Sequence, residues 1–167
     1  SNAGAFLSVP NVTSETLSSS VQCVVDSYGA LKLTDEVFVQ PMLADVIISG
    51  VGFSHDPNTC APYRVINWSD DQSTDAVTKG LDGHIWYQAA SADKIPDKIV
   101  SPVIYLLEEL LGLFDNAPLD IEFAITKNQR NNKEQEVIWL LQVRPLIISR
   151  PSERIASQTG RLLKLQN

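Results

Sequence analysis

Cysteine and histidine are scarce in this chain of 167 residues, which contains two of each. Cys23 and Cys60 are too few for a disulfide framework and lack the spacing of metal ligands. His55 and His84 lie far apart in the sequence, which disfavours a histidine-ligated zinc site. Because there is no disulfide framework, the expected location is a reducing one, the cytoplasm.

Basic charge and long apolar runs are also in short supply. Lysine and arginine number 13 against 20 for aspartate and glutamate, which gives a formal net charge of −7 at pH 7. A nucleic-acid-binding domain would need a basic patch, so no nucleic-acid partner is expected. An anionic ligand is not excluded, because one arginine and a divalent cation can dominate a single site. No apolar stretch approaches transmembrane length and no secretory signal pattern is present, so no membrane partner is expected.

The glycine motifs of two common nucleotide-binding folds are missing. The chain has no Walker-type lysine pattern and no glycine triplet that follows a strand and opens a helix. Lys79, Gly80 and Gly83 are isolated, and a surface turn explains them better. The P-loop and dinucleotide-binding classes are therefore excluded.

The residues that are present predict a globular α+β domain. Hydrophobic residues make up 44% and charged residues 20% of the chain, which is typical of a folded domain of ordinary size. Apolar residues at helical spacing predict three helices, and runs rich in β-branched and aromatic residues predict strands. The expected helices cover 14–28, 103–114 and 155–165, and the expected strands cover 36–42, 45–53, 63–68 and 84–89.

Two runs near the end of the chain predict a hairpin. They cover 119–125 and 137–145, and the polar stretch 127–136 is expected to separate them. Residues two apart on a strand share a face, which places Asp120 beside Glu122 and Gln142 beside Arg144. If the strands pair, these carboxylate, amide and guanidinium groups can converge on one surface, a set that suits a metal-bound polyphosphate. The alternative is that they form the ordinary solvent face of a half-buried sheet.

These runs, DIEF and WLLQVRP, resemble the end of the nucleotide-binding domain of phosphoenolpyruvate synthases, pyruvate phosphate dikinases and rifampicin phosphotransferases. Two upstream blocks are similar to the same family in the same order: AFLSVPNV at 5–12, and VQPM at 39–42 with SGVGFSHDPNT at 49–59. The joint occurrence of three blocks is more specific than any one alone. The resemblance implies an ATP-grasp-type lobe, a mostly antiparallel sheet with helices packed on it.

The resemblance also implies a site for ATP and Mg²⁺. Glu122 matches the family's metal-coordinating glutamate, and Gln142 matches the neighbouring amide within reach of metal or phosphate. Arg144 matches the arginine that neutralises phosphate charge during transfer, and it is the expected catalytic residue. Asp120 is expected to support these groups.

A second part of the implied site lies upstream. Val39, Gln40 and Met42 match a strand that runs along the adenine edge in the family, where backbone groups bond the base and Met42 offers a polarisable surface. The alternative for Met42 is plain core packing. Cys60 departs from the family pattern, because it stands where the loop Thr-basic-Asp-Pro-x-Thr-Gly has its glycine. A positive φ at Cys60 would therefore be strained.

The family's domain order gives the expected organisation. Residues 1–3 are expected to be an expression-tag remnant, 4–146 the C-terminal lobe of the ATP-grasp domain, and 147–167 a linker and helix toward a further domain. The implied partners are ATP, the N-terminal ATP-grasp lobe and the phosphohistidine domain of the parent chain. The implied parent activity is ATP-dependent phosphoryl transfer through phosphohistidine to pyruvate, and the lobe alone is not expected to catalyse it. The alternatives are a phosphotransferase acting on an antibiotic- or sugar-type acceptor, and a non-catalytic nucleotide-binding module.

Overall fold

A five-stranded antiparallel sheet dominates the second of two compact units into which the chain divides. The first unit extends to Ala44 and the second begins at Asp45. The computed structural model describes residues 7–70, 83–92, 98–130, 133–146 and 155–165. The expected tag remnant at 1–3 lies outside these residues.

The first unit contains one helix, α1 (Leu17–Asp26), within its described residues. The helix is shorter than the expected 14–28, because Thr13 and Thr16 form a turn before it: the Thr13 N–H donates to Thr16 Oγ1 at 2.9 Å. The strand predicted over 36–42 is wrong, since residues 35–44 have no regular secondary structure. Its β-branched and aromatic composition is typical of a strand, but Pro41 removes a backbone donor and none of the described strands pairs with it.

The second unit confirms the α+β class and the strands predicted over 45–53, 63–68 and 84–89. Each neighbouring pair of strands is antiparallel, and the order across the sheet is β3-β2-β1-β4-β5. The strands are β1 (Val46–Phe53), β2 (Tyr63–Ser69), β3 (His84–Ala89), β4 (Leu119–Arg130) and β5 (Lys133–Pro145). The helices are α2 (Val100–Leu113) and α3 (Ile155–Leu165), and α3 confirms its predicted range.

The β4–β5 hairpin is longer than the sequence predicted. The stretch 127–136 was expected to be a turn, yet most of it continues the two strands, which end at Arg130 and resume at Lys133. Lys127 lies opposite Glu136, and Asn128 lies opposite Gln135. Directly opposed residues of opposite charge, such as Lys127 and Glu136, support strand pairing even where the sequence is hydrophilic.

Helix α2 covers one face of the sheet and completes the core. On β4, Leu119, Ile121, Phe123 and Ile125 alternate onto this face and are almost fully buried. They join a cluster that includes Val103, Ile104, Leu107 and Leu111 of α2. The helix begins at Val100, three residues before the predicted start, with Pro102 inside its first turn. Proline is tolerated there because the first backbone N–H groups of a helix have no intrahelical acceptor.

Helix α3 contacts the segment after β3 through a buried polar side chain. Gln158 is 3% exposed, and its Oε1 accepts a hydrogen bond from the Ser91 hydroxyl at 3.3 Å. None of the helices in the described ranges has the length and apolar character needed to cross a membrane.

Candidate functional site

The expected site residues of the hairpin lie on the sheet face opposite α2, which we call the open face, although Ser49, Ser69 and Ala124 on it are buried. Because the odd-numbered residues of β4 point into the core, Asp120 and Glu122 point to the other side. Register then defines two rows of side chains that each cross all five strands. The Asp120 row is Tyr87, Val65, Phe53, Asp120 and Arg144; the Glu122 row is Ile85, Asn67, Val51, Glu122 and Gln142.

The predicted convergence of the four polar residues is confirmed. Asp120 lies directly opposite Arg144, and Glu122 lies directly opposite Gln142. Directly opposed residues of an antiparallel pair have Cβ atoms about 4.5–5.5 Å apart, and the two rows are adjacent. Two carboxylates, one amide and one guanidinium therefore share a compact patch on the two strands.

In the Asp120 row the guanidinium is held from one side. Arg144 Nε donates to both carboxylate oxygens of Asp120, at 2.6 and 2.7 Å. The Asp120 side chain is 14% exposed and that of Arg144 is 34% exposed. Within the described part of the chain, the two terminal NH₂ groups of Arg144 have no other hydrogen bond. Asp120 thus orients the guanidinium and leaves its outer fork able to hold phosphate oxygens.

In the Glu122 row the oxygen atoms are not engaged by other groups. Among the described residues, neither the Glu122 carboxylate nor the Gln142 amide forms a hydrogen bond or an ion pair. Glu122 is half-buried and Gln142 is exposed. A carboxylate and an amide oxygen side by side are hard ligands of the kind that Mg²⁺ and Ca²⁺ take.

These two side chains would form only part of a metal's coordination sphere. In the ranges that the structure describes, no three acidic, histidine or cysteine side chains cluster closely enough to hold a metal ion. Mg²⁺ usually keeps several waters and binds through one or two carboxylates together with the phosphates of its ligand. The donor set therefore fits a cation that arrives with a polyphosphate better than a metal held by protein alone.

Trp139 belongs to the same face, and sequence alternation did not reveal it. Gln142 pairs with Glu122 while Leu140 pairs with Phe123, so Leu141 is an extra residue in β5. This bulge places Trp139 opposite Ala124, on the open face, next to the Glu122 row. The available signal was the Leu140-Leu141 pair, which interrupts strict alternation between Trp139 and Gln142.

The loop after β1 adjoins the Asp120 end of the open face. The Ser54 N–H donates to the Leu119 carbonyl at 3.0 Å, and the Leu119 N–H donates to Ser54 Oγ at 2.8 Å. His55 is buried, and its Nδ1 lies 3.1 Å from Ser54 Oγ. These contacts tie the start of the loop to the start of β4 at Leu119.

Asp56 organises the rest of this loop and fixes Tyr87. Its Oδ1 accepts the backbone N–H groups of Asn58 and Thr59 at 2.9 and 2.7 Å, and its Oδ2 accepts the Tyr87 hydroxyl at 2.9 Å. Burial raises the pKa of Asp56, but hydrogen bonds from Thr59, Tyr87 and Asn58 together outweigh it and leave the pKa below its usual value. Burial and the bond to Asp56 raise the pKa of Tyr87 to about 12. The bond between an ionised Asp56 and a protonated Tyr87 thus persists at neutral pH.

Tyr87 in turn gives the Asp120 row an aromatic end. Its ring stacks on that of Tyr63, with centroids 4.8 Å apart and planes at 17°. The Tyr87 hydroxyl is already bonded to Asp56. This pair was not among the residues that the sequence singled out.

The upstream part of the expected site belongs to the other unit. Val39 and Met42 are each 60% exposed, and Gln40 is also exposed. Core packing of Met42 is therefore excluded. None of the three lies on a strand, so the expected strand along an adenine edge is not formed, and recognition of a base by these residues stays a prediction.

Comparisons with protein-family models, curated proteins and solved structures give no match.

Proposed function

We propose that the open face binds a polyphosphate together with a divalent cation. The observation that supports this most strongly is that two polar pairs lie in adjacent rows: Glu122 with Gln142, and Asp120 with Arg144. One row offers oxygen ligands, and the other offers a guanidinium already held by a carboxylate. In a chain with a formal charge of −7 the paired guanidinium does not by itself attract an anion, so the divalent cation would supply the local positive charge.

In this arrangement the chain's residues have separate tasks. Glu122 and Gln142 would hold Mg²⁺, which would neutralise phosphate charge there. The outer NH₂ groups of Arg144 would hold further phosphate oxygens and stabilise the charge that develops during transfer. Asp120 would keep the guanidinium in place, so that little reorganisation is needed when the ligand arrives.

We further propose that the polyphosphate is that of ATP, and that the chain is one lobe of a phosphoenolpyruvate synthase-like phosphotransferase. This finer assignment rests on the resemblance of the three sequence blocks. In such a parent, a histidine of a mobile domain attacks the β-phosphorus of ATP and takes its pyrophosphoryl group, with AMP as the leaving group. Water then removes the terminal phosphate, and the phosphoryl group left on the histidine passes to pyruvate. An acceptor other than pyruvate would use the same ATP site.

The absence of the strand at 36–42 favours a second candidate, a site that recognises the metal-bound phosphate chain but not a base. The two candidates differ in which probe binds. Recognition of the base predicts that Mg-ATP binds more tightly than Mg-tripolyphosphate, whereas recognition of the phosphate chain alone predicts equal affinities.

The test is isothermal titration calorimetry of the chain with Mg-ATP and with Mg-tripolyphosphate. Glu122→Gln should weaken binding by roughly tenfold or more, because contacts of charged groups are worth about 1.5–3 kcal/mol. Glu109→Gln is the matched control, since it makes the same change at an exposed position of α2. Equal affinity for the two variants, or no binding of either probe by the unchanged chain, would refute the proposal.

A further inference from the structure

The β-bulge in β5 lies directly beside the Glu122–Gln142 pair. On the open face, Arg144 and Gln142 alternate normally from the end of the strand. The register then shifts by the one extra residue, Leu141, and Trp139 takes the next position on that face. Without the bulge, a strand that keeps Trp139 on the open face would turn Gln142 and Arg144 toward α2, because a one-residue slip exchanges the two faces.

Two side-chain contacts hold β5 to β4 on either side of this bulge. On one side Arg144 donates to Asp120. On the other side the Trp139 indole Nε1 donates to Thr126 Oγ1 at 2.9 Å. The extra residue can be accommodated only between these two contacts, and the Glu122–Gln142 pair lies in the same interval.

The contact between Trp139 and Thr126 has features beyond simple packing. Thr126 is 2% exposed, so its hydroxyl would be an unsatisfied buried group without a partner. Trp139 is 40% exposed, so its ring is only partly buried. The indole hydrogen bond therefore orients the ring in addition to the packing of its buried part. The contact therefore joins β4 and β5 on the side of the bulge away from Arg144.

We propose that Trp139 and Thr126 are positioning residues for the polyphosphate site: their hydrogen bond sets the bulge at Leu141 and thereby keeps Gln142 opposite Glu122. This inference rests on the proposed function for its ligand, but not for its geometry. The ligand contacts themselves remain with Glu122, Gln142 and Arg144.

The test compares Thr126→Val with Thr126→Ser in the same chain. Valine keeps the shape and removes the hydroxyl, whereas serine keeps the hydroxyl. The first readout is NMR: cross-strand NOEs for the Glu122–Gln142 and Phe123–Leu140 pairs. The second is calorimetric affinity for Mg-tripolyphosphate, with thermal unfolding recorded for every variant.

Thr126→Val is expected to weaken or lose the Glu122–Gln142 NOEs and to reduce affinity roughly three- to tenfold, the range of one buried hydrogen bond. Thr126→Ser should restore both readouts. Trp139→Phe removes the same hydrogen bond from its donor side and should behave like Thr126→Val, which guards against an effect peculiar to one substitution.

Retention of the Glu122–Gln142 NOEs in both Thr126→Val and Trp139→Phe would overturn the inference, whatever their thermal stability. A lower unfolding temperature with unchanged NOEs and affinity would also overturn it, since it would assign the contact a purely stabilising role. If the NOEs change as expected but the unchanged chain does not bind Mg-tripolyphosphate, the positioning of Gln142 stands and the proposed function fails.

Discussion

At the scale of single residues, Cys60 has a strained backbone conformation in a buried turn. Its φ is +59°, in the left-handed region that favours glycine, and its side chain is 2% exposed. The expected strain at this position is thus supported by its conformation. The turn is held by the Cys60 N–H, which donates to the Asp56 carbonyl at 2.8 Å.

Two substitutions at Cys60 separate backbone strain from loss of the side chain. Both Cys60→Ala and Cys60→Gly remove the sulfur atom, but only glycine adopts the left-handed conformation without cost. We expect Cys60→Gly to be the more stable variant by about 1 kcal/mol, the reverse of the usual order for these two residues. Urea denaturation of both variants measures the difference, and a more stable alanine variant would contradict a positive φ at this position.

The polar site residues could be predicted from the sequence because a strand has a strict period of two. Asp120 and Glu122 were assigned to one face by spacing alone, and Gln142 and Arg144 likewise. Trp139 could not be assigned in this way, because the bulge at Leu141 interrupts the period. The partners of Asp56 were equally hidden, since Tyr87 lies 31 residues away in sequence.

At the scale of elements, close approach of strands explains the glycines of β1. A Cβ at Gly50 would collide with the Asn67 carbonyl oxygen and would lie 2.7 Å from Phe123 Cζ. Gly50 is opposite both Trp68 and Phe123 in the sheet. The bare backbone there lets large side chains of the neighbouring strands meet above it.

Gly50 and Gly112 therefore differ sharply in their tolerance of alanine. Gly50→Ala should destabilise the chain by about 2–3 kcal/mol, because the β2 backbone and the Phe123 ring must both move. Gly112→Ala, near the end of α2, meets no atom within 4 Å and should stabilise by roughly 0.5–1 kcal/mol through helix propensity. Urea denaturation checks both values, and similar effects of the two changes would contradict the described packing of β1.

The elements that the sequence predicted correctly are those whose pattern of apolar and polar residues is enough to indicate a helix or a strand. The strands at 45–53, 63–68 and 84–89 alternate or carry β-branched residues, and the helix at 155–165 is amphipathic. The incorrect predictions concern segments whose structure depends on whether a neighbouring strand pairs with them. The segment 36–42 has a strand-like composition but no strand beside it, and 127–136 has a turn-like composition but pairs as two strands.

At the scale of the whole molecule, the two faces of the sheet in the second unit carry different kinds of residue. The face toward α2 holds the apolar cluster that stabilises the unit. The open face holds the two polar pairs, at the β4–β5 end of rows whose other members are mostly apolar. This separation keeps the two polar pairs apart from the apolar core.

The central claim, that Glu122 and Gln142 hold the cation of a metal–polyphosphate on the open face, can be tested by paramagnetic NMR. Mn²⁺ is added at substoichiometric amounts with ATP, and broadening of backbone amide signals is mapped onto the chain. We expect broadening to begin around Val51, Glu122 and Gln142 and to disappear in Glu122→Gln. Broadening that begins at the exposed carboxylates Glu108 and Glu109 of α2, or that persists unchanged in Glu122→Gln, would contradict the claim.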